Sequence, residues 1–439
     1  MKKQEMYIER KLNFNISYDV VKRKIRDDIT LYYLSSLADI NLVNEVIKGF
    51  MIQNNQILNC SILKLENIDA AISSVNSGCL LLLHLDDLYI IETRNYPNRS
   101  ISESESEKSM KGSHDSFTES ILTNTALIRR RINDENFRCE LYTIGNKSKT
   151  DVSLNYLDNK VNKKLLFNIK KKLKKIEVDF LTLQDKTLSE LLFNQKFSVF
   201  PKVRFSERPD IASIHILKGY IVIIVDTSSS IILVPTTFFE LNEQIEEYHL
   251  PVIIASFNKI FKLFCIFISL FLLPVWFIIC IDKNPPNNYF LIIENITRKE
   301  LFFQIITVSI FLNAIRLASL HTSSLLSTSM SLFSSIILSS LAVETGLVNP
   351  EVVFYASLSA ICSYCISNYE TSRAISFWNL VFIIMVGLFY KIGFIISFTL
   401  LFICLVTINS FGTFYLYPLI PFDIKKVLNI FFKKIEKSK

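Results

Sequence analysis

Four hydroxyl side chains, Ser324, Thr328, Ser331 and Ser335, are spaced four, three and four apart. That spacing places them on one face of a helix. The stretch around them, 325–343 (LLSTSMSLFSSIILSSLAV), is uncharged up to its last residue. A polar stripe on an apolar helix turns toward protein or water. Two chemistries suit it: close helix packing through small side chains, or one wall of a water-filled ion path if several copies surround an axis. Arg316, His321, Glu344, Glu370 and Arg373 bracket the apolar runs. Ionisable residues there anchor helix ends at a membrane boundary or gate a path.

Other reactive residue types form no catalytic pattern. The five histidines are far apart and make no metal-ligand spacing. Phosphate-cradling G-x-x-x-x-G-K, H-E-x-x-H and G-x-S-x-G motifs are absent, and glycines number nine. Cys362 and Cys365 form a C-x-x-C inside an apolar run, which reads as a pair of free thiols without a redox βαβ context. These observations point away from an enzyme, a metal and a cofactor. Positive charge collects in three places. The polar loop 94–116 (RNYPNRSISESESEKSMKGSHDS) carries Arg94, Arg99, Glu105 and Lys108, and loops this long dock a partner or stay solvated. Arg129, Arg130 and Arg131 end a helix, where cations complement the C-terminal dipole or hold an anionic partner. Residues 160–176 form a basic amphipathic helix, with Val161, Leu165, Ile169, Leu173 and Ile176 inward and lysines toward solvent or anionic headgroups. No aromatic-interleaved basic platform accompanies the charge, so nucleic acid is not the expected partner.

The elements that must hold these groups fall into two halves. Half of the 439 residues are hydrophobic and mean hydropathy is positive, too apolar for an ordinary soluble protein. Residues 263–281 (LFCIFISLFLLPVWFIICI) match the roughly 20 apolar residues that cross a bilayer, with Pro274 expected to kink the helix. Further apolar runs span 325–343, 352–369, 374–390 and 392–422, and 301–315 is a weaker one containing Gln304 and Asn313. The net charge is +7, with lysines crowding the C-terminus. Lys259 and Lys262 ahead of the first run, and the lysine tail after the last, place both ends inside and require an even number of crossings, four or six.

The first 250 residues lack an N-terminal apolar core and are expected to stay cytoplasmic. Strands are expected over 28–36, 79–83, 88–93, 151–157, 220–225 and 231–234, with a tight turn at Asp86-Asp87. Helices are expected over 41–51, 67–76 and 209–217, and from a capping box at Ser116 and Glu119 to about Ile132. Asp69, Ala71 and Gly78 share their spacing with Asp210, Ala212 and Gly219, which reads as duplication. The expected fold is a soluble α/β N-terminal region of two related subdomains, 1–155 and 156–250. An all-α polytopic membrane domain (251–422) and a basic cytoplasmic tail (423–439) follow.

Several stretches together resemble one family, the GerA-type spore germination A subunits. They are PNRSISESESEK and GSHDSFTESILTNTALIRRRI (97–132), IGNKSKTDV (144–152), FSERPD (205–210), SLAVETGLVNPEVV (340–353) and the Asn368-Tyr369 pair. The resemblance covers nearly the whole chain and adds Asn368 and Tyr369 to the boundary or gating candidates. It departs from the family pattern at Ser323, Leu325, Ser339 and Ser340, and at Lys111, His114 and Ser116. What it implies is an inner spore membrane protein with its soluble region facing the spore core. Such a protein would form homo-oligomeric ion channels in membrane lipid with B- and C-type subunits. A closer likeness inside the family implies action beside the dipicolinate-transport SpoVA proteins, with a small membrane partner. Against this stands a non-conducting scaffold that holds germination proteins through the 94–116 loop and the basic helix. A secondary transporter would show an internal repeat in the membrane half, and none is visible.

Overall fold

The computed structural model describes residues 2–51, 62–95, 113–193, 198–244, 246–282, 293, 296–321, 340, 343–410 and 412–433. The chain folds as two compact units. One comprises Met1–Phe197, Lys202–Thr236 and Ser410–Thr413, the other Ser198–Pro201, Thr237–Asn409 and Phe414–Lys439. The second thus begins ahead of the expected boundary at 250.

The first unit holds α1 (Lys2–Leu12), β1 (Val20–Arg26), β2 (Ile29–Leu34), α2 (Ile40–Met51), β3 (Ile62–Leu65), α3 (Ile68–Asn76), β4 (Leu80–His84) and β5 (Asp87–Ile91). There follow α4 (Ile121–Arg129), β6 (Phe137–Ile144), β7 (Thr150–Leu157), α5 (Lys163–Leu173), α6 (Gln184–Phe193), β8 (Arg204–Ser206), α7 (Pro209–Leu217), β9 (Ile221–Val225) and β10 (Ile231–Val234). The strands form two antiparallel sheets of identical order, β1-β2-β4-β5-β3 and β6-β7-β9-β10-β8. In each, the helix before the fourth strand ends on a glycine of positive φ, Gly78 at +97° and Gly219 at +93°. The duplication read from Asp69/Ala71/Gly78 and Asp210/Ala212/Gly219 is therefore one of topology.

Strand periodicity sorts the first core. Ile29, Leu31, Tyr33, Leu80 and Leu82 pack with Val43, Val46 and Ile47 of α2 on one face. Tyr32, Leu34, Leu81 and Leu83 pack with Ile8, Leu12, Ala71, Ile72 and Val75 of α1 and α3 on the other. Side chains alternate along a strand, so the four successive leucines of β4, Leu80 to Leu83, are what a sheet covered on both faces requires. β1 sits at the sheet edge with Arg23, Lys24 and Arg26 exposed; charge is how edges avoid further pairing. Its charged sequence hid it from periodicity, as α1 was hidden by its polar composition.

Three local expectations are corrected. The β4–β5 turn is Leu85-Asp86, since His84 pairs with Asp87, and Leu85 takes φ +54°. The N-cap of α4 is Ser120, whose side chain accepts from Thr123 N, while Ser116 is buried and donates to Phe117 O. The second sheet starts at Phe137, so the division expected at 155 falls inside β7.

The second unit holds α8 (Phe238–Leu241), α9 (Glu246–His249), α10 (Val252–Ile281), α11 (Arg298–His321), α12 (Pro350–Tyr364), α13 (Tyr369–Phe389), α14 (Lys391–Thr407) and α15 (Ile424–Phe431). Among the described residues three helices, α10, α11 and α13, are long and apolar enough to cross a membrane; α14 is apolar and shorter. The expected run 325–343 lies outside the described residues apart from Ser340 and Val343. The run 352–369 is not one helix: α12 stops at Tyr364, and Asn368 caps α13 by accepting from Thr371 N. The run 392–422 is helical only to Thr407. Hydropathy registers lack of charge but not these breaks. α10 packs along α12 and α13, and α14 returns along α13. Leu273, Trp276 and Phe277 meet Leu301, Ile305, Val352, Tyr355 and Ile383, and the Trp276 and Tyr355 rings lie 4.7 Å apart.

Candidate functional site

Pro274 lies buried inside α10. Proline has no N–H, so the carbonyl four residues earlier, Leu270 O, loses its helical donor. In an apolar surrounding an unsatisfied carbonyl costs several kcal/mol, roughly. Asn379 of α13 supplies the replacement: its Nδ2 donates to Leu270 O at 3.2 Å and to Ser269 O at 2.9 Å. Ser359 Oγ of α12 also donates to Ser269 O, at 3.0 Å. Pro274, expected to kink the helix, thus sits at a polar junction of three helices.

Beside that junction lies a small cleft of about 40 Å³, whose polar lining includes Ser269, Asn313, Arg316, Ser359, Ser363 and Asn379. α11 contributes Ser309, Asn313 and Arg316, spaced four and three apart and so on one face. Arg316 Nη1 donates to Ser363 Oγ at 3.3 Å, and Nη2 to Ser372 Oγ at 2.8 Å. Both serine hydroxyls donate onward to carbonyls, Ser363 to Ala360 O (2.7 Å) and Ser372 to Ser363 O (2.6 Å). Their oxygens therefore present lone pairs to the guanidinium. Tyr364 and Tyr369 place ring centroids 4.8 and 5.8 Å from it, at cation–π range. Arg373 Nη1 donates to Asn313 Oδ1 at 3.1 Å, and Asn313 Nδ2 donates to Ser309 O at 2.9 Å. Two arginines are thus set into a helical unit through hydroxyls, amides and rings.

Of the residues proposed from sequence, the structure gathers Arg316 and Tyr369 with Arg373, and makes Asn368 the cap beside them, accepting also from Thr371 Oγ1 at 3.1 Å. Glu344 is exposed. His321 is the last residue of α11. The stripe residues Ser324, Thr328, Ser331 and Ser335, and the loop residues Arg99, Glu105 and Lys108, lie outside the described residues. Sequence reasoning missed Ser363, Ser372 and Asn379. Their signal was polarity inside an apolar run, which Asn313 gave and which was read only as weakness of the segment.

At the other proposed docking cluster, Arg129 is corrected. It is buried, and its Nε and Nη2 donate to the two oxygens of Asp19 at 2.5 and 2.8 Å. Ser36 Oγ also donates to Asp19, and the Phe137 ring lies 5.1 Å from the guanidinium. Burial works against that charge, but the Asp19 carboxylate outweighs it and raises the guanidinium pKa. A side chain so enclosed cannot dock a partner. Arg131 donates to Leu127 O, as a cation at a helix C-terminus does, and pairs with Asp115. Arg130 is exposed, and exposed Arg94 pairs with Glu92. Where the helical unit begins, Lys259 and Lys262 surround the buried Glu247, whose carboxyl pKa burial raises.

Residues 6–438 match the family model described as the Bacillus/Clostridium GerA spore germination protein. The chain belongs to the GerA spore germination family. It is 36% identical to stage V sporulation protein AF of Bacillus subtilis (strain 168), over 98% of this chain and 91% of that one. It is 26% identical to spore germination protein KA of the same organism, covering 97% and 83%. Among solved structures it is similar to the N-terminal domain of the A subunit of the Bacillus megaterium spore germinant receptor GerK3. That similarity is 25% identity with a TM-score of 0.41, over 54% of this chain and 95% of that domain. As a GerA-family chain with three membrane-length apolar helices among its described residues, it is a membrane protein of spore germination and sporulation.

Proposed function

We propose that this chain is an oligomeric ion-conducting subunit that supports or amplifies the germination response. It acts in the inner spore membrane with its N-terminal unit and C-terminal tail on the core side. One observation carries the reading: the membrane-length helix α11 is polar along one face (Ser309, Asn313, Arg316), and the hydroxyl-rich stretch with Ser324, Thr328, Ser331 and Ser335 follows it in sequence. Polarity continuing along successive apolar segments is what a wet path between helices requires. The similarity to stage V sporulation protein AF and spore germination protein KA supports the setting and a partnership with other germination proteins; a small membrane partner and the SpoVA proteins are the partners proposed.

The test is flux. Purified protein in liposomes, with its membrane partners, passes monovalent ions, and Thr328→Leu or Ser331→Leu changes that flux at least several-fold. Liposomes that stay tight with verified oligomers overturn the reading. The scaffold alternative then remains, in which removing the 94–116 loop abolishes complex recovery.

A further inference from the structure

None of the residues of α15 is buried. We propose that this helix lies in the plane of the membrane surface and binds anionic lipid headgroups, with its apolar face at the acyl boundary. Its residues sort by face. Ile424, Val427, Leu428 and Phe431 recur at spacings of three, one and three, which makes one apolar side. Lys425, Lys426 and Asn429 make the other. Ile424, Leu428 and Phe431 are exposed, as are Phe422 and Phe432 on either flank. Lys425 and Lys426 are exposed too, the second with its ammonium 5.0 Å from the Tyr417 ring centroid. Asp423 caps the helix, accepting from Lys425 N at 3.2 Å and Lys426 N at 3.3 Å, which fixes where it starts.

The neighbouring helix sets the level at which α15 lies. α10 runs for 30 residues, about 45 Å at 1.5 Å per residue, against roughly 30 Å of hydrocarbon. Its first turns therefore reach the boundary or pass it. The outward face there is still apolar: Ile253, Phe257, Ile260, Phe261 and Phe264 are exposed, and the Phe257 and Phe261 rings stack at 6.0 Å. Lys259 and Lys262, expected to mark the inner boundary, instead turn toward the buried Glu247 and leave headgroup contact to other cations. α15 packs beside these turns, and Lys433 ties it there: its N donates to Ser256 Oγ at 3.0 Å and its Nζ to Leu250 O at 2.9 Å. Charge complementarity then selects the occupant. Residues 424–439 carry six lysines and one glutamate. Across a helix only about 10–12 Å wide, one side calls for hydrocarbon and the other for anions. The headgroup–acyl boundary of an anionic leaflet supplies both over that distance. The inference concerns anchorage and holds whether or not the chain conducts.

The experiment uses the full chain in nanodiscs of phosphatidylcholine, alone or with about one-third phosphatidylglycerol. Leu428→Trp puts a reporter on the exposed apolar face, and quenching by lipids brominated near or far from the headgroup reads its depth. The wild type, with Trp276 and Trp378, gives the background. The expected result is quenching strongest from the bromines nearest the headgroup, with hydrogen-exchange protection over 424–433 that rises with phosphatidylglycerol. Lys425→Glu with Lys426→Glu lowers that protection about tenfold or more in the anionic discs, since each lysine at such a surface is worth roughly fivefold in binding. The same pair of changes leaves the phosphatidylcholine discs as they were. All three substituted side chains are exposed, so the variants keep the fold. No quenching above background, quenching strongest from the deepest bromines, or protection equal with and without phosphatidylglycerol overturns the proposal. So does protection that appears in detergent and grows with protein concentration, which would assign the face to a second copy of the chain.

Discussion

Arg129 and Arg316 are both drawn out of bulk water, and the two units treat them differently. In the sheet unit Arg129 meets the Asp19 carboxylate in a two-pronged ion pair, 110 residues away in sequence. In the helical unit Arg316 is held through serine oxygens and tyrosine faces, and opens on a cleft. The first arrangement closes a core. The second holds a half-buried charge at the wall of a small cleft. Glycine divides the same way. Gly219 is required because the chain after α7 takes positive φ, and because a Cβ would sit 2.7 Å from Lys160 O. Gly393 has no such φ; a Cβ there would overlap the Met385 carbonyl where α14 folds back on α13.

These contrasts can be broken in order of size, with full-length protein followed by hydrogen exchange so that each unit is read separately. The largest effect belongs to the ion pair. Asp19→Ala strands a buried guanidinium and destabilises the sheet unit by about 3–5 kcal/mol, whereas Asp19→Leu with Arg129→Met recovers most of the loss. A double variant as unstable as the single one would mean that the pair does more than neutralise its own burial. Next, Gly393→Ala costs the helical unit roughly 3 kcal/mol by overpacking. Gly219→Ala costs the sheet unit about 1–2 kcal/mol from left-handed strain, and more if Lys160 cannot shift.

A smaller and sharper test concerns Pro274. Asn379→Leu leaves Leu270 O without its donor, while Ser269 O keeps Ser359 Oγ, and costs about 1–3 kcal/mol. In a Pro274→Ala background the same change costs less, because residue 274 regains the N–H that reaches Leu270 O. Equal costs in both backgrounds would show that Asn379 does not replace the proline's missing donor. The smallest effect is a pH dependence. Burial opposes ionisation of Asp115, but its bonds with Arg131 and Ser113 prevail and lower its pKa below the ordinary 3.8. A depressed carboxyl contributes stability that is whole above 3.8 and lost as pH falls through the folded value. Asp115→Asn therefore flattens the acid limb of sheet-unit stability below that point and nowhere else. An unchanged limb would place the acid sensitivity on other carboxylates.

What could be read in advance followed from short-range pattern. α3, α7, β4, β5 and β10 are legible because apolar runs of strand length alternate with capped helices and end on Gly78 or Gly219. α1 and β1 escaped because polar and edge positions carry little periodicity. Around the cleft, Arg316 stood out by chemistry at the end of an apolar run and Tyr369 through the family resemblance, but Ser363, Ser372 and Asn379 look like ordinary small polar residues until the helices meet. Arg129 was misplaced for a related reason. Three successive arginines at a helix end resemble a surface, and nothing local says that one of them turns inward to Asp19.

The sequence by itself determined that the second half is built of apolar helices, that the first half repeats one strand-and-helix order, and that an arginine ends an uncharged stretch. Each depends on residues within a few turns or one strand of each other, where spacing and conformation are coupled directly. Only the tertiary structure decided that the carbonyl freed by Pro274 is met by Asn379, 109 residues on. It likewise set Arg316 between α12 and α13 over an open cleft, and made Arg129 a core residue. Those pairings depend on how helices and sheets pack, and packing is chosen by the whole set of buried surfaces together.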